Sequence, residues 1–224
     1  LQVERLHRGN GLIDGLNALQ TLLQHEFKNS GLLRQALTHR SFAADHNERL
    51  EFLGDAVLNL AVADLLYQRL SDLPEGDLSR VRANLVKQDT LHGLAVGIGL
   101  PRLLRLGEGE MRSGGQNRPS ILADALEAVI GAVYLDGCFG AAQQLVHRLF
   151  KAVEINATMS AIGQDPKTEL QEWLQGRKMK VPLYRVVATL GAAHKQTFDV
   201  KCEIVEFNLT ERGIGSCRRA AERV

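Results

Sequence analysis

The sequence predicts an all-α unit followed by a smaller α+β unit. Apolar residues recur at steps of three and four through most of the chain, the pattern turns strand-like after about Leu183, and the charge balance changes between the two parts. Up to Gln164 there are 16 Lys+Arg against 18 Asp+Glu; from Asp165 onward there are 11 against 8, so a net of −2 is followed by +3. The chain's 224 residues, 45% hydrophobic, suffice to bury cores without covalent staples, and the near-balanced total of 27 Lys+Arg and 26 Asp+Glu is not that of a histone-like polycation.

The elements follow in order. Leu16, Leu19, Leu22 and Leu23 recur at helical spacing, and GLLRQALTHRSF starts a second helix after Asn29-Ser30. The longest helical signal runs from Glu48 to about Leu70, with Leu50, Leu53, Val57 and Leu60 on one face. Further helices are expected over Leu78–Leu85 and Thr90–Ile98, the latter stopped by Gly99 and Pro101. A Gly-rich loop, GEGEMRSGGQNRPS, precedes a helix over Ser120–Leu135 with Ser120 as its cap, and Gln143–Val153 closes the unit. Beyond the polar seam EINATMSAIGQ, Lys167–Gln175 is an amphipathic helix with Leu170, Trp173 and Leu174 inward. Strands are expected over Leu183–Leu190, Thr197–Val205 and Glu206–Thr210, and Gly213-Ile214-Gly215 then opens a short helix. The expected domains are 1–154 and 165–224, joined by a linker over 155–164.

Several classes are disfavoured. Cys138, Cys202 and Cys217 are odd in number and form no CxxC, which speaks against a disulfide framework or structural zinc and fits a reducing compartment. The most apolar stretch, Ala56–Leu66, is interrupted by Asn59 and Asp64 and falls short of the ~20 residues of a membrane span. The first ten residues lack the apolar core of a signal peptide, so a soluble cytoplasmic protein without membrane partners is expected.

The carboxylates of the helical part carry the chemistry. Glu48, Glu51 and Asp55, three and four apart, share one narrow arc of their helix away from the Leu/Val face. Asp124 and Glu127, three apart, repeat the arrangement in a helix otherwise built of Ile, Leu, Ala, Val and Gly. Like charges at this spacing destabilise a helix, and burial beside apolar groups adds to the cost. A divalent cation relieves both, and Mg²⁺ favours carboxylate oxygens. Spacing alone leaves two readings, a solvated acidic face or a metal site.

The segment NERLEFLGDAVL (Asn47–Leu58) resembles the signature of the ribonuclease III family. ALTHRSF (Ala36–Phe42), EGDLSRVRANLV (Glu75–Val86) and SILADALEAVIGAVYLD (Ser120–Asp136) are similar to its flanking blocks, in matching order. The resemblance implies an all-α nuclease domain that cuts double-stranded RNA with Mg²⁺, or with Mn²⁺ as a substitute. It implies Glu51, Asp124 and Glu127 as metal ligands, with Asp55 completing the catalytic cluster. Products would carry 5′-phosphates, 3′-hydroxyls and two-nucleotide 3′ overhangs, cut by a homodimer in which Phe52 plugs into the partner subunit; from the residues alone, Phe52 reads as peripheral core. Glu48 and Glu75 also match acidic positions of the family, with helix-surface solvation as the alternative. Arg80, Arg82, Arg112 and Arg118 are candidates for RNA contact or for ordinary salt bridges. His39 and His46 admit a metal-free rival in which an imidazole pair works through the ribose 2′-hydroxyl, although His39 belongs to a block that reads as structural.

The second part, headed by DPKTELQEWLQ, resembles an α+β (α-β-β-β-α) double-stranded-RNA-binding domain, a fold that reads A-form shape across successive minor grooves. The resemblance places Thr168, Gln171 and Glu172 against 2′-hydroxyls, His194 of the loop Gly191–His194 in a minor groove, and Arg218 and Arg219 on phosphates. Three departures stand out: Cys217 where Ser is common, Glu222 where a third basic residue often lies, and a GAAH loop without Pro. They suggest a weaker phosphate grip. The chain also ends at Val224, inside the expected last helix. Processing of ribosomal RNA precursors and other structured transcripts is the expected role. The rival classes are a non-catalytic RNA-binding regulator and a small-molecule phosphohydrolase.

Overall fold

A computed structural model describes residues 14–161, 166–191 and 196–223. The chain divides into two compact units between Ser160 and Ala161.

The first unit is helical. After helix α1, described over 14–23, come α2 (Ser30–Ala36), α3 (Glu48–Arg69), α4 (Glu75–Leu85), α5 (Gln88–Gly97), the short α6 (Glu108–Arg112) and α7 (Pro119–Leu149). In α7, Ile121–Ala123, Ala125, Leu126 and the whole run Ala128–Val133 are buried, so the helix is enclosed on nearly all sides and forms the centre of the unit. Helix α3 lies along α7 and buries Leu50, Gly54, Val57, Leu58, Ala61, Val62, Leu65 and Leu66. The buried stripe departs from expectation at Leu60, which is 57% exposed because it sits on the opposite side of the helix from Leu58.

Other boundaries also differ. Helix α2, capped by Asn29 through a 3.0 Å bond from Gly31 N–H, stops at Ala36, because Leu37–His39 instead bond in extended fashion to Arg105. The Gly-rich loop holds α6 and a 3₁₀ turn, and α7 begins at Pro119 with Arg118 in the cap position, so Ser120 is not the cap. Proline at the first helical turn needs no N–H partner, which lowers the demand for a side-chain cap there. The helix runs on to Leu149 through a kink at Cys138, where φ is +64°.

The second unit packs α8 (Pro166–Gly176) and α9 (Arg218–Ala221) with an antiparallel sheet ordered β1 (Leu183–Leu190), β2 (Thr197–Ile204), β3 (Leu209–Gly215). Leu174, Val200, Ile204 and Ala221 are its buried apolar side chains among the described residues. Trp173 is 44% exposed rather than inward, with the Arg177 guanidinium 3.9 Å from its ring centroid. The third strand starts later than expected: Val205–Phe207 form a 3₁₀ turn, Asn208 takes the left-handed conformation, and Gly213-Ile214-Gly215 belong to the strand. Gly215 is needed there because a Cβ would come within 2.4 Å of Ala221 N as α9 folds back.

Candidate active site

The crossing of α3 and α7 is a backbone contact. A Cβ on Gly54 would lie 1.8 Å from the Glu127 carbonyl oxygen, and one on Gly131 would lie 2.3 Å from that of Leu50. Only glycine permits this approach, and it brings the acidic arcs of the two helices together. Glu51, Asp124 and Glu127 each offer a carboxylate oxygen within 4.8 Å of the others. The sequence singles out these carboxylates by their spacing; a glycine about one turn beyond Glu51 and another beyond Glu127 is the further signal in it for the crossing.

The electrostatics follow from this geometry. Burial first, then the charges of Asp55, Asp124 and Glu51, push Glu127 up to about 8 from an ordinary 4.5. Burial, then Asp124, Glu48 and Asp55, also raises Glu51. Burial raises Asp124, while the Arg40 guanidinium pulls it back. Asp55 is exposed, accepts 2.9 Å from Asn59 Nδ2, and lies outside the close trio, which it meets through its charge. An all-oxygen donor set under mutual repulsion fits a hard divalent cation.

The remaining candidates are spread around this centre. Glu48 is bonded by Arg40 at 3.1 Å, and Glu75 accepts 2.8 Å from Ser79 on its own helix. Arg80 pairs with Asp77, Arg112 with Glu108 and Arg118 with Glu110. His39 is bonded to Ser41 and His46 to the Glu48 N–H, so the two imidazoles are held by different partners. Phe52 is 81% exposed, which excludes the peripheral-core reading within one chain.

In the second unit, Lys167, Thr168, Gln171, Arg218, Arg219 and Glu222 line one concave patch. Glu172 is exposed on α8, and His194 lies outside the described residues. Sequence reading treated Glu222 only as a missing cation. In the structure it accepts from both Lys167 and Arg218, which hold its carboxyl below the usual range.

A family model described as Ribonuclease-III-like matches residues 29–153, and one described as Double-stranded RNA binding motif matches 166–224. Ribonuclease 3 of Albidiferax ferrireducens is 79% identical over 210 residues, spanning 94% of this chain and 92% of the relative. That of Variovorax paradoxus is 73% identical over 209 residues, spanning 93% and 92%. A solved nuclease domain of ribonuclease III from Campylobacter jejuni matches with TM-score 0.60 and 42% identity, covering 62% of this chain and 97% of that one. The chain belongs to the ribonuclease III family of endoribonucleases, with a double-stranded-RNA-binding domain after its nuclease domain.

Proposed function

We propose that the chain hydrolyses phosphodiester bonds of double-stranded RNA at Glu51, Asp55, Asp124 and Glu127, with Mg²⁺, or Mn²⁺ in its place, held by Glu51, Asp124 and Glu127. The convergence of those three carboxylates at the glycine crossing carries the reading. A bound Mg²⁺ lowers the pKa of a coordinated water and neutralises charge on the attacked phosphate. The chain's own residues hold the donor oxygens in place, and Asp55 adds negative charge beside Glu127. Water adds to phosphorus as the bond to O3′ breaks, leaving a 5′-phosphate and a 3′-hydroxyl.

Thr168, Gln171, Glu172, His194, Arg218 and Arg219 serve as the duplex grip. Phe52 heads an exposed stripe on α3 that continues through Ala56, Leu60 and Tyr67, and this face supports a homodimer that presents one equivalent site to each strand and leaves two-nucleotide 3′ overhangs. Maturation of ribosomal RNA precursors and other structured transcripts in the cytoplasm follows from this activity. Among the described residues no helix is long and apolar enough to cross a membrane. The test is incubation with a long RNA duplex with and without Mg²⁺: staggered products only with the metal are expected, and metal-independent cleavage or intact duplex overturns the reading.

A further inference from the structure

A cleft of about 610 Å³ at the carboxylates is lined by His39, Arg40 and Ser41 together with Glu51 and Asp124. One side chain of that wall has its hydrogen-bonding polarity determined. His39 Nδ1 lies 3.2 Å from the Ser41 N–H, which can only donate, so Nδ1 is an acceptor. The Ser41 hydroxyl accepts from Gly107 N–H at 3.0 Å and, because Nδ1 is an acceptor, donates its own proton to Nδ1, 2.8 Å away. In the neutral imidazole the remaining proton is on Nε2.

The backbone that carries the ring is also held in place. His39 N–H bonds to Arg105 O at 3.0 Å, Arg105 N–H bonds to Leu37 O at 2.8 Å, and the Arg105 guanidinium reaches Thr38 Oγ1 at 3.2 Å. Gly107 approaches Ser41 so closely that a Cβ would lie 2.3 Å from the Ser41 carbonyl oxygen. Among the described residues Nε2 has no hydrogen-bond partner. The two guanidiniums lining the same cleft are engaged, Arg40 with Glu48 at 3.1 Å and Arg118 with Glu110 at 2.7 Å.

We propose that His39 presents Nε2–H as a fixed neutral donor to a non-bridging oxygen of the phosphate being cut, with Ser41 and Gly107 as positioning groups. This rests on reading the carboxylate trio as the hydrolytic centre. A preoriented donor aimed at an oxygen that gains charge in the transition state acts on turnover more than on binding.

The experiment measures single-turnover cleavage of an RNA duplex by the full chain and its variants at saturating Mg²⁺, together with the Mg²⁺ midpoint, duplex affinity in Ca²⁺ and Tm. His39→Ala should lose roughly ten- to a hundredfold in rate, with affinity, Tm and Mg²⁺ midpoint unchanged. His39→Gln, whose amide nitrogen reaches the position of Nε2, should recover most of the rate; His39→Asn, whose nitrogen falls near Nδ1, should not. Rates within twofold of wild type for His39→Ala, or no rescue by Gln at equal Tm, overturn the proposal. A shifted Mg²⁺ midpoint with full rate at saturation also overturns it, because His39 would then act on Asp124. Failure of the wild-type chain to cleave in any metal instead removes the underlying reading of the site.

Discussion

Replacing Glu127 by Gln should stabilise the metal-free protein while abolishing its activity. The unfolded chain holds this carboxyl near 4.5 and the folded chain near 8. Between those values the folded state binds the extra proton, so the contribution of Glu127 to stability falls as pH rises from about 4.5 through about 8 and is constant above. At 1.36 kcal/mol per pH unit the ceiling is roughly 5 kcal/mol; solvent screening of a partly exposed group reduces this to about 2 kcal/mol. Glu127→Gln removes that penalty at about pH 9 and has little left to remove at about pH 5. With Tm moving roughly 2–4 °C per kcal/mol in a domain of this size, the variant should melt roughly 4–8 °C higher at the alkaline pH and near wild type at the acidic one. Mg²⁺ should raise the wild-type Tm more than that of the variant, and cleavage should fall by roughly a hundredfold or more. Thermal melts across pH, with and without Mg²⁺, provide the check. A pH-independent difference, or destabilisation at alkaline pH, would refute the repulsion argument.

Four further outcomes are expected. Gly54→Ala forces α3 and α7 apart, since the added Cβ meets a main-chain oxygen at 1.8 Å, and should cost roughly 3 kcal/mol or more in denaturant melts together with most of the activity. Glu222→Gln loosens the hold on Arg218 and Lys167 and should tighten duplex binding several-fold at fixed salt, measured by filter binding. Phe52→Glu places a charge on the exposed stripe of α3 and should shift the protein toward monomer in analytical ultracentrifugation. A chain ending at Asn156 should cut duplex RNA at low salt with a shallower salt dependence than the full chain; identical rates at every salt concentration would remove the clamp role of the second unit.

The carboxylates were legible because helical periodicity is local: spacing of three and four places Glu51 with Asp55, and Asp124 with Glu127, whatever the helices pack against. How the two arcs meet was not, since that depends on Gly54 lying over Glu127 O and Gly131 over Leu50 O, contacts between residues far apart in sequence. The same reason explains the misplaced third strand. Gly213 and Gly215 read as a break because glycine is a poor strand former, yet Gly215 is kept small by the return of α9. Trp173 read as inward from its phase, whereas its ring is covered by Arg177 from the end of the same helix and remains partly exposed.

The glycine crossing links stability and chemistry through one geometry. Close approach is favourable for the apolar residues beneath it, where Val57, Leu58, Leu126 and Ile130 are buried. The same approach is unfavourable for the acids beside it, whose raised pKa values record burial and mutual repulsion. The apolar contact therefore holds the carboxylates in a position they would otherwise leave, and a cation that neutralises them recovers the difference as binding energy. A variant that relaxes the crossing should lose metal affinity and stability together, whereas one that removes a carboxylate should lose metal affinity and gain stability. Comparing Gly54→Ala with Glu127→Gln in the same melts and Mg²⁺ titrations separates the two: parallel losses in both variants would mean that the packing and the repulsion are not opposed in the way the geometry requires.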